Sequence, residues 1–288
     1  MKIVVLGANG MLGHSLVPRL LNSGHNVMSL DLPVCDITDY QNLKENLSAA
    51  TPDLVINIAA YTDVDGAETN RELAYSVNST GADNVAKVCA ELSARCFYIS
   101  TDYVFDGTKT GKYEVDDTPC PLSVYGDSKH KGEIATLVRL PKTGLVIRTS
   151  WLYGHGGKNF PFTMLKLANA HKDLKVIDDQ IGAPTYTDDL SQAISKLAMI
   201  NDVCGIVHAT NSDCCSWYEF AKTIFEKTNR YPNSLIPCKT CEYPSAAKRP
   251  LNSRLSERRL SEFIGHPLPT WDNAISRFLM TIENYDTL

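Results

Sequence analysis

Three glycines near the N-terminus, Gly7, Gly10 and Gly13, follow the apolar run Lys2 to Leu6 (KIVVL) and open a helix-patterned stretch. A strand, a glycine turn and a helix start, in that order, make a cradle for phosphate. Gly7 permits the tight turn, Gly10 lets the backbone approach a pyrophosphate, and Gly13 allows the helix to pack closely on the strand. The exposed N–H groups of the helix start then hold the phosphates, so Gly7, Asn9, Gly10, Met11, Leu12 and Gly13 are candidate contacts to a dinucleotide. Asp31 ends the second apolar run, 24 residues after Gly7. A carboxylate there binds the adenosine ribose hydroxyls and repels a 2′-phosphate. No arginine stands beside it, which favours NADH over NADPH and leaves use of both open.

The Gly-x-x-Gly-x-x-Gly spacing resembles the short-chain dehydrogenase/reductase superfamily. That resemblance implies a Tyr-x-x-x-Lys pair. The pattern occurs three times, as Tyr40/Lys44, Tyr125/Lys129 and Tyr218/Lys222. Each pair has the spacing that brings two side chains onto one helix face. Only Tyr125 follows the fourth expected strand, at the carboxyl ends of the strands where the reactive crevice should lie. Tyr40 falls near the adenosine end and Tyr218 in the second half. A free tyrosine, with a pKa near 10, is a sluggish acid near neutrality. The ammonium of Lys129 is expected to lower that pKa and to bond the nicotinamide ribose. Thr101, at the end of the run CFYIS, is placed to orient a substrate carbonyl against Tyr125.

Longer stretches are more specific. Asn57-Ile-Ala-Ala-Tyr-Thr-Asp-Val-Asp-Gly-Ala-Glu68, Ser100-Thr-Asp-Tyr-Val-Phe-Asp-Gly107 and Val124-Tyr-Gly-Asp-Ser-Lys-His-Lys-Gly-Glu133 stand in the first half. Arg148-Thr-Ser-Trp-Leu-Tyr-Gly154, Asp179-Gln-Ile-Gly-Ala-Pro-Thr185 and Arg249-Pro-Leu-Asn-Ser-Arg-Leu255 follow. Together they resemble the dTDP-4-dehydrorhamnose reductases, an extended branch of that superfamily, from the N-terminus to about Leu260. The resemblance implies reduction of the 4-keto group of a dTDP-deoxyhexulose by NADPH or NADH, with Thr101, Tyr125 and Lys129 as the catalytic group. It further implies cofactor contacts at Ala59, Ala60 and Tyr61. Asp102, Tyr103 and Trp151 should line the sugar pocket, with Asn159 and Arg249 as further substrate contacts. Some family members use magnesium or dimerise through acidic residues. No acidic cluster here is assignable to a metal, so none is expected in catalysis, and a homodimer stays open.

Two other readings compete. The β subunit of methionine adenosyltransferase resembles the same family and binds NADP as a non-catalytic regulator; the complete Thr101/Tyr125/Lys129 set favours an enzyme. A related nucleotide-sugar epimerase or dehydratase is the other. A dehydratase typically carries Asp-Glu beside the threonine, whereas Thr101-Asp102 is followed by Tyr103.

These residues need a scaffold that brings strand ends together. Near-continuous apolar runs at Lys2–Leu6, Asn26–Leu30, Asp53–Asn57, Cys96–Ser100 and Gly144–Arg148 alternate with helix patterns. The helix patterns cover Met11–Leu21, Thr38 to about Ala49 with a Thr38/Gln41 capping box, roughly Asn70–Arg95, and about Val124–Val138. Repeated units of this kind predict an α/β fold, a Rossmann-type doubly wound parallel sheet. After residue 150 the alternation loosens, with helices expected at Phe160–Ala170, Asp189–Met199, Ser216–Thr228 and Asp272–Tyr285. The expected organisation is a dinucleotide-binding core over 1–150, to which later segments can return, and a smaller substrate-binding lobe over 151–288. The glycine-rich Gly154-His-Gly-Gly157 is a candidate flap near the sugar.

Composition narrows the class. The 288 residues carry 28 Lys+Arg against 33 Asp+Glu, a net charge of −5. That balance argues against non-specific nucleic-acid binding. No apolar run approaches the roughly 18 residues of a membrane span, and the N-terminus does not read as a signal peptide. Nine cysteines cannot all pair, and several sit in apolar runs, as free thiols do in a reducing, cytoplasmic setting. Cys238 and Cys241 form a CxxC in a proline-containing stretch with no second ligand pair for zinc. Residues 239–259 hold six bases against two acids, and residues 31–70 eight acids against one base. The basic strip is a candidate for steering an anionic sugar nucleotide.

Overall fold

The computed structural model describes residues 1–282. Its first half runs β1 (Lys2–Leu6), α1 (Met11–Asn22), β2 (Asn26–Leu30), α2 (Tyr40–Ala50), β3 (Leu54–Asn57), α3 (Val64–Thr69), α4 (Arg71–Tyr75), α5 (Ala82–Leu92), β4 (Arg95–Thr101), α6 (Val124–Arg139) and β5 (Gly144–Thr149). The second half adds β6 (Leu152–Tyr153), α7 (Phe160–Asn169), β7 (Asp173–Ile177), β8 (Ile181–Gly182), β9 (Thr185–Tyr186), α8 (Thr187–Ala198), β10 (Gly205–His208), β11 (Cys215–Ser216), α9 (Trp217–Thr228), β12 (Ser234–Cys238), α10 (Arg258–Ile264) and α11 (Trp271–Met280). The end of the helix expected over Asp272–Tyr285 lies outside the described residues.

Six strands form one parallel sheet in the order β10-β5-β4-β3-β1-β2. Residues of β3 and β5 are buried throughout because helices cover both faces. On one face α1 and α8 pack Leu12, Leu16, Leu20, Leu190 and Ile194 against Ile3, Val5 and Ile56. On the other, α2 and α5 bring Leu43, Leu47, Val85 and Cys89 to Val4, Leu6 and Val55. A separate core, built from α7, α9 and α11 around Leu165, Phe220, Phe225 and Phe278, holds the second lobe together. The chain crosses back after that lobe begins: α8, β10 and α10 all belong to the sheet layer.

Two local expectations change. The cap of α2 is Asp39, not Thr38: its carboxylate accepts from the Gln41 and Asn42 amides. Thr38 instead bonds Asp36 and reaches the cleft wall. The helix expected over Asn70–Arg95 is broken into α4, a π-helical turn at Ser76–Gly81, and α5. The reason is Asn78. Its side chain exchanges hydrogen bonds with the Tyr61 backbone, 2.8 and 3.0 Å, while its own carbonyl accepts from the Tyr98 hydroxyl at 3.0 Å. A wide turn that frees a carbonyl for a tertiary partner is the usual circumstance of a π insertion.

Gly13 is where α1 packs closely on the turn that follows β1. A Cβ there would sit 2.0 Å from the Ala8 carbonyl oxygen. Backbone cannot yield as a side chain does, so Gly13→Ala should destabilise the protein by about 1–3 kcal/mol, read as a lowered urea midpoint followed by circular dichroism.

Candidate active site

The strand order reverses direction at β1, whose neighbours are β2 and β3. A ligand crevice is expected outside the carboxyl ends of the strands at such a switch point. The structure has a cleft of about 1040 Å³ there. Its walls come from the ends of four strands: Leu6 and Gly7, Ile58 and Ala59, Ser100 and Thr101, and Thr149 and Ser150.

One end is built around the glycine turn. Gly7 takes φ +82°, and the N-cap Gly10 of α1 offers no side chain to the first-turn amides. A Cβ at Gly10 would come within 3.3 Å of the Gly7 carbonyl oxygen, and the first-turn amides carry no side-chain cap. Gly7, Gly10, Met11, Leu12, Asp31, Ala59, Ala60 and Tyr61 all line the cleft. Asn9 and Gly13 serve from behind it. The Asn9 amide donates to Asp31 Oδ2 at 2.8 Å, fixing that carboxylate at the mouth, and Gly13 carries the close helix contact. Asp36, Ile37 and Thr38 extend the same wall.

The other end holds the titratable groups. Thr101, Asp102, Tyr103, Tyr125 and Lys129 share its wall. The Thr101 hydroxyl lies on the Tyr125 phenol and also bonds Asp102 Oδ1 at 3.1 Å. Tyr125 keeps part of its surface open to the cleft, yet burial pushes its pKa up to about 12, against the Thr101 hydrogen bond. Burial also pushes Lys129 down to about 7, opposed by the charge of Glu133. The Lys129 ammonium donates to the Ile99 carbonyl at 2.6 Å, over the Tyr98 ring. The expected lowering of the tyrosine by the lysine is therefore reversed in the protein alone. Both groups are desolvated, and desolvation favours a neutral phenol beside a neutral amine. Asp102 is raised to about 7 by burial, with Ser253 and Thr101 hydrogen bonds working the other way. Its Oδ2 is buried without a partner.

The second lobe closes the remaining wall. Trp151 adopts φ 48°, rare for a residue with a side chain, and stacks on Trp217 at 3.6 Å between ring centroids. Both line the cleft. Trp217 carried no sequence signal, because nothing in the chain relates it to Trp151, 66 positions earlier. Asn159 and Arg249 stand outside the cleft wall. Asn159 caps α7 and donates to the Gly154 and Gly157 carbonyls, so its amide is spent inside the loop. Arg249 pairs with Asp65 at 2.7 Å and touches Tyr103 from behind. The basic strip is dispersed in the same way. Arg254 bonds Asn252, Arg258 faces Glu114, Arg259 donates to the Cys204 carbonyl, and none of the six bases lines the cleft. Charges close in sequence were turned to different neighbours by the loops between them.

The other two Tyr-x-x-x-Lys pairs lie away from the reactive end. Lys44 pairs with Glu91 beside Tyr40, and the exposed Lys222 faces Glu226. Among the described residues, no group of His, Cys, Asp and Glu is placed to hold a metal, and no helix is long and apolar enough to cross a membrane. The nine thiols are unpaired.

A glycine turn at the switch point, with Tyr125 and Lys129 one turn apart on α6, places the chain among the Rossmann-type short-chain dehydrogenase/reductases. Comparison with known proteins narrows the class. The family model described as RmlD substrate binding domain matches residues 1–284. The chain is 38% identical over 285 residues to the dTDP-4-dehydrorhamnose reductase of Aggregatibacter actinomycetemcomitans, covering 95% of this chain and 97% of that one. It is 41% identical over 279 residues, 96% of both, to the spore coat polysaccharide biosynthesis protein SpsK of Bacillus subtilis (strain 168). The structure of dTDP-4-dehydrorhamnose reductase from Bacillus anthracis str. Ames in complex with NADP is similar with TM-score 0.93 and 38% identity, over 98% of this chain and all of that one. The chain belongs to the dTDP-4-dehydrorhamnose reductase family.

On α6, which carries Tyr125 and Lys129, lies one half of a buried ion pair that sequence reasoning missed. Arg148 on β5 grips Glu133 on α6 through Nε and Nη2, each at 2.8 Å, and both are at most 2% exposed. Burial alone would raise Glu133, but the hydrogen bonds from Arg148 and His130 and the charge of Arg148 hold it down to about 2. A depressed carboxylate contributes its stability fully above its ordinary pKa of 4.5 and loses it as pH falls toward 2. Glu133→Gln, which leaves Arg148 buried and unpaired, should cost about 3–5 kcal/mol at pH 7. It should also flatten the fall of stability between pH 4.5 and 2. Urea titrations of both proteins across that range check this.

Proposed function

We propose that the protein reduces the 4-keto group of dTDP-4-dehydro-6-deoxy-L-mannose to the hydroxyl of dTDP-L-rhamnose, using NADPH or NADH. The observation that carries this reading is the phenol of Tyr125 hydrogen-bonded to the Thr101 hydroxyl at the cleft wall. A ketone reduction needs a proton donor of that kind at the oxygen. The glycine turn and Ala59, Ala60 and Tyr61 hold the dinucleotide, which supplies the hydride when bound.

In this reading Thr101 and Tyr125 both bond the substrate keto oxygen and hold it in line. As negative charge develops on that oxygen, the Tyr125 proton passes to it. Lys129, one helical turn on, stabilises the phenolate left behind, and its pKa near 7 suits it to return a proton near neutral pH. The unpartnered Oδ2 of Asp102 accepts a sugar hydroxyl, and Trp151 and Trp217 cover the sugar face. Tyr103 lines the same pocket, braced by Arg249, so Arg249 acts on the substrate through Tyr103 and not by contact.

The keto-sugar, generated with its upstream enzymes, should consume NADPH or NADH in equimolar amounts and yield dTDP-rhamnose. Release of product without net cofactor loss would instead indicate an epimerase or dehydratase. Tyr125→Phe should lower turnover by about 10²–10⁴-fold while dinucleotide binding, followed by fluorescence, is retained. Asp31 and Asp36 put two carboxylates and no cation at the adenosine end of the cleft wall. The KM for NADH should therefore not exceed that for NADPH, and Asp31→Asn should lower the NADPH value selectively.

A further inference from the structure

Among the described residues lining the cleft, the cations are Lys129 and Lys158. Lys129 is buried and committed to the Ile99 carbonyl. Lys158 is exposed, and no carboxylate among the described residues pairs with it. It stands at the end of the glycine-rich loop 154–157, which the second lobe lays against the start of α1. There a Cβ on Gly156, at φ +83°, would fall 2.0 Å from the His14 ring, and one on Gly157 would fall 3.3 Å from Met11 Cβ. Only glycines let the loop come this close to α1.

The loop is pinned on both sides. Asn159 Nδ2 donates to the Gly154 carbonyl at 2.6 Å and the Gly157 carbonyl at 3.3 Å, and it reaches Met11 Sδ at 3.9 Å. His155 Nε2 meets Thr281 Oγ1 at 2.6 Å, with the ring among Phe162 and Phe278. The loop that ends in Lys158 is thus held against the start of α1, whose first-turn amides have no side-chain cap. Gly10, Met11 and Leu12 line the cleft there, and no side chain caps the helix start. Amides on one side and an ammonium on the other make a two-sided site for a diphosphate.

Resting on the reductase reading above, we propose that Lys158 is the second-lobe clamp on the cofactor's pyrophosphate, closing over it from the side opposite the glycine turn. It accounts for the loop's composition. The glycines allow approach, Asn159 sets the loop's shape, and Lys158 supplies the charge. A nucleotide sugar carries a diphosphate too, but the residues on either side of Lys158, Gly157 and Asn159, lie against Met11, on the glycine-turn side of the cleft.

The test is binding of NADH, ADP-ribose and adenosine to the full-length protein, with the sugar-nucleotide KM measured at saturating NADH. Lys158→Ala should weaken NADH and ADP-ribose by about tenfold and leave adenosine unchanged, while Lys158→Arg stays close to wild type. The difference between wild type and Lys158→Ala should shrink between about 0.05 M and about 1 M salt, which a packing defect would not do. Equal NADH affinity in wild type and Lys158→Ala would overturn the proposal alone. So would a raised sugar-nucleotide KM with NADH binding intact, because it would assign the lysine to the substrate's diphosphate. Failure of wild type to bind any dinucleotide would overturn the reductase reading and this proposal together.

Discussion

Arg148 and Glu133 meet in the interior with two parallel hydrogen bonds and almost no contact with water. A charge taken out of water must find a partner of matched geometry or lose its proton. The planar guanidinium meets that demand at one relative position of β5 and α6. Once Glu133 is placed, Lys129 stands one turn earlier on α6 and Tyr125 another turn before that, both turned to the cleft. The pair also sets the field of the site. Burial, and after it the charge of Arg148, push His208 down to about 3, so that ring stays neutral, and the carboxylate of Glu133 is the charge that opposes neutralisation of Lys129.

The far side of α6 is held by polar groups that are equally specific. Asn78 joins the π turn to the backbone of Tyr61 and to Ser128 on α6, 3.0 Å away, while Tyr98 from β4 donates to the Asn78 carbonyl. The cleft wall at Tyr61 and helix α6 are therefore parts of one hydrogen-bonded unit. Desolvation raises Tyr125 and so works against proton donation, while the hydrogen bond from the Thr101 hydroxyl works the other way. The second lobe adds what the sheet cannot supply, an aromatic cover in Trp151 and Trp217 and an exposed cation in Lys158.

Much of this was legible beforehand where the signal is local. Alternating apolar runs and helix patterns predicted the parallel sheet, because a strand covered on both faces is apolar at every position. The glycine turn was legible because its three residues answer three separate steric demands. Two features failed for a shared reason. Thr38 and Asp39 are both capable caps, and the decision went to the neighbour whose carboxylate reached the amides. The run from Asn70 to Arg95 has ordinary helix composition, and its π turn follows from the partners of Asn78, which lie on β4, on α6 and at Tyr61.

The amino-acid sequence by itself determined the fold class, the order of the first five strands and the family resemblance. It also singled out Tyr125 and Lys129 from three equivalent patterns by their position after the fourth strand. Periodicity and short spacing are properties of neighbouring residues, so a chain carries them before it folds. Only the tertiary structure decided protonation, pairing and which charges face the ligand. Arg249 and the other bases of the 239–259 strip turned to separate partners, Asn159 became a loop clasp, and Lys129 and Tyr125 shifted away from each other in pKa. Each of those outcomes depends on desolvation and on residues distant in the chain, and neither exists until the sheet and the second lobe have closed around the cleft.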